Sequence, residues 1–200
     1  MNWLAHVLLA ESDPEIRLGN LLGDLIKGKE RETLNANLRR GLKCHQAIDI
    51  FTDRHPIVRR SKQRLNGEYR RFAGILIDVF YDHILAKNWH NYSSLSLAEF
   101  TSTVYKSWDD YLIDLPIYPQ QVILRMMTED WLSSYIHLQG VEQTLKRISW
   151  KLNRRSKRQF DLTPAIALLQ DNYFELQQDF QLFFPQLQSH VDCWCLDQSL

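Results

Sequence analysis

Side chains that can bind a metal ion recur four residues apart in the first half of the chain. The pairs are Asn20 with Asp24, His45 with Asp49, and Asp78 with Asp82. Residues four apart lie about 40° apart around a helix, so each pair would project from one helical face. His6 is a possible further member, and Asp53 follows Asp49 by another four residues. Helical bundles build metal sites in this way, from carboxylate and imidazole groups on several helices.

The stretch "GILIDVFYDHILAKNW", residues 74–89, is an apolar helix interrupted by Asp78, Asp82 and His83. Two ionised carboxylates in an apolar setting repel each other and lose their hydration, which costs several kcal/mol. A divalent cation between them would remove the conflict. His83 lies about 100° from Asp82 on the helical wheel, so it could bind the metal or face a neighbouring helix.

The donor types in these pairs indicate both a class of metal and a class of reaction. Many oxygen donors with one or two imidazoles suit manganese, magnesium or iron better than zinc. The sequence has no Ser, Cys or Lys nucleophile signature, no phosphate-binding glycine loop and no dinucleotide fingerprint. Metal-activated water is then the natural nucleophile, and hydrolysis is the first reaction to consider. For any one pair taken alone, a structural ion pair is the competing interpretation.

The elements that must position these residues are predicted to be helices throughout. Asp13 and Pro14 begin a helix that should run to Gly28, and Ser96 to Glu99 form a capping box for a helix toward Asp114. Thr163-Pro164 should begin the last helix, which Pro185 should end or kink. With no linker-like segment, the sequence predicts one all-α domain over residues 1–200, a bundle of roughly seven to nine helices.

Composition excludes several classes of function. The 24 Lys and Arg residues are balanced by 24 Asp and Glu residues. The chain therefore has no overall positive charge that would indicate binding to nucleic acid. The N-terminal segment has no basic region and soon reaches Glu11 and Asp13, which does not fit a signal peptide. No run approaches the ~18 apolar residues of a membrane-spanning helix. The three cysteines are too few and too unevenly placed for a disulfide framework, and we expect a cytoplasmic protein.

A local basic segment, "KRISWKLNRRSKR" at residues 146–158, contains seven Lys and Arg residues and no acid. It predicts a surface for an anionic partner, because the forked guanidinium binds phosphate or carboxylate with two hydrogen bonds. The candidate partner-binding residues are Arg147, Arg154, Arg155 and Arg158. A merely solvated face is the alternative, and RNA is disfavoured because aromatic residues other than Trp150 are not interleaved. The aromatic residues elsewhere, including Trp131 and Tyr135, are predicted to lie in the core.

Four motifs resemble the acyl carrier protein phosphodiesterase family. "MNWLAH" is similar to the family's "MNFLAH", "GNLLGDLIKG" to "GNLLADFVRG", "HQAIDIFTD" to "H-R-x-I-D-x-x-T-D", and "LIDVFYDH" to "L-D-x-x-x-D-H". Their order and spacing fit from residue 1 to about residue 90. The later "WL" at 131–132 and the basic segment also look related. The chain departs from the family pattern at Trp3, Gly23 and Gln46, and at Gln46 the family often has arginine.

The resemblance implies a divergent relative of the HD-type metal phosphohydrolases that uses manganese or a similar ion. The implied reaction removes 4′-phosphopantetheine from holo-acyl carrier protein and leaves the apo form. Carriers of this kind are acidic, which would suit the basic segment. By position in the family motifs, the implied metal ligands are His6, Asp24, His45, Asp49, Asp78 and Asp82. The implied catalytic residues are His45, Asp82 and His83.

Two other functions stay open at this point. An HD-like hydrolase could act on a small nucleotide or on pyrophosphate, and it would then need no carrier protein. A non-enzymatic helical module could instead bind an acidic protein, with its polar pairs serving only the fold. Metal content and activity on free nucleotides discriminate between the three functions.

Overall fold

The computed structural model describes residues 1–65, 67–154 and 156–197, and within them it contains helices and no strand. The α-helices are α1 Trp3–Leu9, α2 Pro14–Leu22, α3 Ala36–Arg54, α4 Pro56–Arg64, α5 Ala73–Lys87, α6 Leu97–Trp108, α7 Ile117–Thr128, α8 Trp131–Ser134, α9 Leu138–Asn153, α10 Ile166–Asp171 and α11 Tyr173–Asp197. The 3-10 helices are Gly28–Arg31, Gly67–Phe72, Trp89–Asn91, Asp109–Asp114 and Thr163–Ala165. The all-α prediction is confirmed, although the described residues contain more helices than expected.

The predicted start of α2 is confirmed, but its predicted end is wrong. The Asp13 side chain accepts a hydrogen bond from the Ile16 amide at 3.0 Å, with Pro14 at the first helical position. The helix stops at Leu22 rather than Gly28. The Arg31 guanidinium donates to two carbonyl oxygens of the following turn, at Gly23 and Ile26. These two carbonyl oxygens therefore have hydrogen-bond donors even though the helix does not continue past them.

The capping box at Ser96 and Glu99 is confirmed, and α6 ends at Trp108 before a 3-10 helix that reaches Asp114. Pro185 does not end the last helix, because α11 continues through it to Asp197. A proline inside a helix costs about 3 kcal/mol. The buried side chains on both sides of it, including Phe183, Phe184 and Leu187, supply packing that outweighs this loss.

Helices α2 and α3 pack backbone to backbone, and this contact sets the geometry around the candidate site. A Cβ atom added at Gly19 would overlap the backbone carbonyl of Leu38, and one added at Gly41 would overlap that of Ile16. The close approach brings α2 against the middle of α3, which carries His45 and Asp49. One cluster of buried apolar side chains joins these two helices to α1, α5, α9 and α11.

Among the described residues, none of the helices combines the length and the apolar character that crossing a membrane would require.

Candidate metal centre and its cleft

Helices α1 and α3 bring His6, His45 and Asp49 together. One possible ligand atom from each residue lies within 4.8 Å of the others. The two carboxylate oxygens of Asp49 face one imidazole each: Oδ2 lies 3.1 Å from His45 Nε2, and Oδ1 lies 3.2 Å from His6 Nε2. The imidazole rings stack with their centroids 4.2 Å apart. The predicted side-by-side placement of His45 and Asp49 on one helical face is confirmed.

Asn20 of α2 fixes the orientation of His6. Its Oδ1 lies 2.9 Å from His6 Nδ1, and its amide nitrogen donates to Cys44 Sγ at 3.3 Å. Because a carbonyl oxygen can only accept, His6 must carry its proton on Nδ1. The Nε2 lone pair of a neutral His6 therefore faces the Asp49 carboxylate, a repulsive contact that a cation between the two groups would turn into an attractive one.

The electrostatics favour this combination of a neutral imidazole and an ionised carboxylate. Burial, followed by the neighbouring His45, lowers the pKa of His6. Burial alone would raise the pKa of Asp49, but its contact with His45 holds that pKa well below the usual range. His6 Nε2 and His45 Nδ1 are buried without a hydrogen-bond partner among the described residues. The donor types and the unpartnered His6 nitrogen fit a divalent cation.

Asp24 lies beside this group, on the solvent side. Its Oδ1 is 3.8 Å from His45 Nε2, and its Oδ2 accepts a hydrogen bond from the Trp3 indole at 2.8 Å. The prediction that Asn20 and Asp24 share one helical face is wrong, because α2 ends before Asp24. Asn20 turns inward to His6, whereas Asp24 is half-exposed at the cleft.

The carboxylates of α5 bind the beginning of α1 instead of joining the group. Asp78 Oδ1 accepts from the amino group of Met1 at 2.9 Å. Asp82 is fully buried and accepts from the backbone amides of Asn2, at 3.2 Å, and Leu4, at 2.7 Å. Burial raises the pKa of Asp82 to about 7. These contacts explain how an apolar helix accommodates two carboxylates, since both are satisfied by N–H donors.

His83 points away from the group toward the segment after α8. Its Nδ1 lies 2.6 Å from the backbone carbonyl of Tyr135, and burial lowers its pKa. Its ring also contacts Tyr173 edge to face. Neither Asp82 nor His83 lines the cleft described below. Their contacts position α1 and the segment around Tyr135.

Asp82→Ala is expected to lower the free energy of unfolding by about 2–4 kcal/mol, because buried amides of α1 lose their acceptor. Urea denaturation measures this loss, and exposed Asp110→Ala is the control. Since the pKa of Asp82 in the folded state lies above its unfolded value, the native state binds the extra proton. As the pH rises from about 5 to about 8, the free energy of unfolding of the wild type should therefore fall relative to that of Asp82→Asn. A loss below about 1 kcal/mol for Asp82→Ala would contradict this role.

A cleft of about 1000 Å³ opens beside the candidate metal-binding group. Its lining includes Asp24, His45 and Asp49, together with Asp78 of α5. Side chains of α7, α8 and α9 also line it, including Tyr118, Val122, Trp131 and Arg147. The cleft therefore connects the acidic and imidazole groups to the first basic residues of α9.

The basic segment does not form one surface. Arg147 is half-buried in the cleft, with its guanidinium carbon 4.0 Å from the Trp131 ring centroid. Arg154 is exposed and stacks on Trp150 at 4.8 Å. Arg158 is exposed, and the predicted partner residue Arg155 lies outside the described residues.

Two residues that shape the site were not predicted: Trp3, which binds Asp24, and Trp131, which supports Arg147. Asn20 was predicted as a possible metal ligand, but it orients His6 instead. Trp131 is buried, as predicted for a core residue, but it also lines the cleft. The "MNWLAH" motif contains both Trp3 and His6 and was the available signal for the first of them.

The fold and the site together define an all-helical protein with a candidate metal centre in a cleft. The family model described as acyl carrier protein phosphodiesterase matches residues 1–187, and the chain belongs to that family. Relatives named acyl carrier protein phosphodiesterase include one from Serratia proteamaculans, 33% identical over 94% of this chain and 95% of its own length. The relative from Yersinia enterocolitica is 31% identical over 96% and 97%, and that from Photorhabdus laumondii is 28% identical over 99% and 100%. No solved structure matches the chain significantly.

Proposed function

We propose that this protein hydrolyses the phosphodiester that joins 4′-phosphopantetheine to the serine of a holo-acyl carrier protein. The products are the apo carrier and free 4′-phosphopantetheine. The match to the family over residues 1–187 carries this proposal. The cleft supports it, because a pocket of about 1000 Å³ can admit a long prosthetic arm beside a group of His and Asp side chains.

The residues proposed to hold a divalent ion are His6, His45 and Asp49. Manganese is the proposed ion, with magnesium or iron as the alternatives that this donor set also suits. When bound, such an ion supplies a Lewis acid and lowers the pKa of water to near neutrality. Asn20 contributes by keeping His6 Nε2 free to bind, through its contact with Nδ1.

Asp24 is the residue best placed to accept the proton of the attacking water. Its carboxylate is half-exposed at the cleft, and Trp3 fixes one of its oxygens. As the water oxygen bonds to phosphorus, the bond from phosphorus to the serine oxygen breaks and the serine oxygen takes up a proton. Asp82 and His83 were predicted to be catalytic, and we now propose that they act by holding α1 and the Tyr135 segment in place.

The exposed end of α9 is the proposed contact for the acidic carrier. Exposed Arg154 caps this end, partly buried Lys151 lies in the last turn beside the cleft, and Arg158 follows in the next segment. Such charges accelerate association more than they increase affinity, so the rate should fall as salt is raised.

The relation to HD-type phosphohydrolases stays a prediction.

Intact-protein mass spectrometry of a holo-carrier incubated with this protein and manganese tests the proposal. The expected result is conversion of holo-carrier to the apo form, with 4′-phosphopantetheine appearing in the small-molecule fraction. The folded, metal-supplied protein leaving the carrier unchanged with manganese, magnesium and iron would contradict it. Parallel assays on nucleotides and pyrophosphate test the second function, and hydrolysis there without action on the carrier would favour it.

A further inference from the structure

Arg147 is a cation in the cleft that forms no salt bridge among the described residues, and the nearby Glu129 carboxylate acts on it only at longer range. Its Nη2 donates to the Thr144 hydroxyl at 2.9 Å, and its guanidinium carbon lies 4.0 Å from the Trp131 ring centroid. By contrast, Arg125 on the same side of the cleft pairs with Glu129 at 2.7 Å. A half-buried guanidinium loses hydration, and that loss is offset when an anion binds its free N–H groups.

Two stacked indoles connect Arg147 to the acidic side of the cleft. The Trp131 ring lies parallel to Trp3, with centroids 5.6 Å apart and 6° between the planes. The Trp3 indole donates to Asp24 at 2.8 Å, and the Trp131 indole donates to Glu129 at 2.7 Å. Both rings are thus fixed by a hydrogen bond at the edge and a stack at the face, and the Trp131 ring supports the Arg147 guanidinium that lies over it.

We propose that Arg147 binds the phosphate oxygens of the scissile phosphodiester in the cleft that His45 and Asp49 also line. The inference rests on the function proposed above and assigns Arg147 a role different from that of the carrier-binding Arg154. A guanidinium can donate two parallel N–H bonds to two phosphate oxygens, whose negative charge must be stabilised during displacement. Trp131 and Trp3 are positioning residues, because they hold the plane of the guanidinium and the carboxylate of Asp24.

Steady-state kinetics of Arg147 variants on holo-carrier test this role. Arg147→Met should lower kcat about 100-fold, the size expected for losing one donor to a developing anion, with a smaller effect on KM. Arg147→Lys keeps the charge and loses the fork, so it should recover only part of the rate. Arg71→Met is the matched control, since Arg71 also stacks on rings, those of Phe72 and Phe160, but lies outside the cleft.

Guanidinium rescue distinguishes a missing donor from a disturbed fold. Arg147→Ala leaves space beside Trp131, and added guanidinium ion should raise the kcat of this variant at least about 10-fold. Trp131→Leu alone should lower the rate. Combined with Arg147→Ala, it should also abolish rescue by guanidinium, whereas a purely structural role of Trp131 would leave the rescue intact. Thermal melting of each variant shows that it is folded.

Calorimetric binding of 4′-phosphopantetheine separates this inference from the proposed function. Wild type should bind it, and Arg147→Met should bind it at least about 10-fold more weakly, whereas Arg71→Met should match wild type. If Arg147→Met keeps both kcat and this affinity within about two-fold, the role of Arg147 is refuted while carrier hydrolysis by wild type still stands. If wild type leaves the carrier unchanged but its affinity for phosphopantetheine depends on Arg147, the proposed reaction fails and the phosphate site remains.

Discussion

Asp49→Asn is expected to lower the rate of carrier hydrolysis at least about 1000-fold while leaving the protein folded. Among the described residues, Asp49 alone has a carboxylate that contacts both imidazoles, at 3.1 Å from His45 and 3.2 Å from His6. Asparagine preserves the shape of the side chain but removes its charge and replaces one oxygen with an N–H donor group. A divalent ion would then lose its only anionic ligand in the group, and the rate and the metal content should fall together.

Asp171→Asn is the control for this variant, because Asp171 is exposed at the end of α10 and does not line the cleft. It should leave both the rate and the metal content at wild-type values. Mass spectrometry gives the rate, and elemental analysis gives the bound metal per chain. An Asp49→Asn protein that retains more than about a tenth of the wild-type rate would remove Asp49 from the centre.

Removal of metal by a chelator is expected to abolish hydrolysis and to lower the melting temperature. A ligand that binds only the native state at 100 times its dissociation constant stabilises it by about 2.7 kcal/mol. For a chain of this length, that corresponds to roughly 5–10 °C in Tm. Adding manganese back after the chelator is dialysed away should restore both the rate and the melting temperature.

Removing metal from Asp49→Asn and adding manganese back shows whether the stabilisation comes from the proposed group of His6, His45 and Asp49. Its melting temperature should change by less than about 2 °C on adding manganese, because the shared anionic ligand is missing. Full activity after the chelator has removed all metal would contradict metal dependence. An equal manganese-induced shift in Asp49→Asn and wild type would instead place the ion elsewhere in the protein.

The sequence predicted those features of the fold that depend on local chemistry. The cap at Asp13 and the capping box at Ser96 satisfy backbone groups within a few residues, so the pattern was sufficient to find them. The end of α2 was mispredicted, and of the two outcomes predicted for Pro185 an end of the helix is excluded, because side-chain contacts and core packing outside the helix pattern decide both. Arg31 binds carbonyls after α2, and core packing carries α11 past its proline.

The same distinction explains which site residues could be found. His45 and Asp49 lie within one unbroken helix, so their spacing of four residues was enough to predict that their side chains lie on the same face. The partners of Asp82 are backbone amides of α1, which carry no signature in side-chain spacing. Arg147 could not be separated from Arg154 by sequence, because the difference between them is burial against Trp131.

Anomalous diffraction from crystals soaked in manganese would test the central claim most directly, because it locates the ion without reference to activity. The proposed centre predicts one strong manganese peak within bonding distance of His6 Nε2, His45 Nε2 and the Asp49 carboxylate. It also predicts that the peak disappears in Asp49→Asn crystals treated in the same way. A manganese peak at Asp78 or Asp82 with none at His6, His45 and Asp49 would contradict the account.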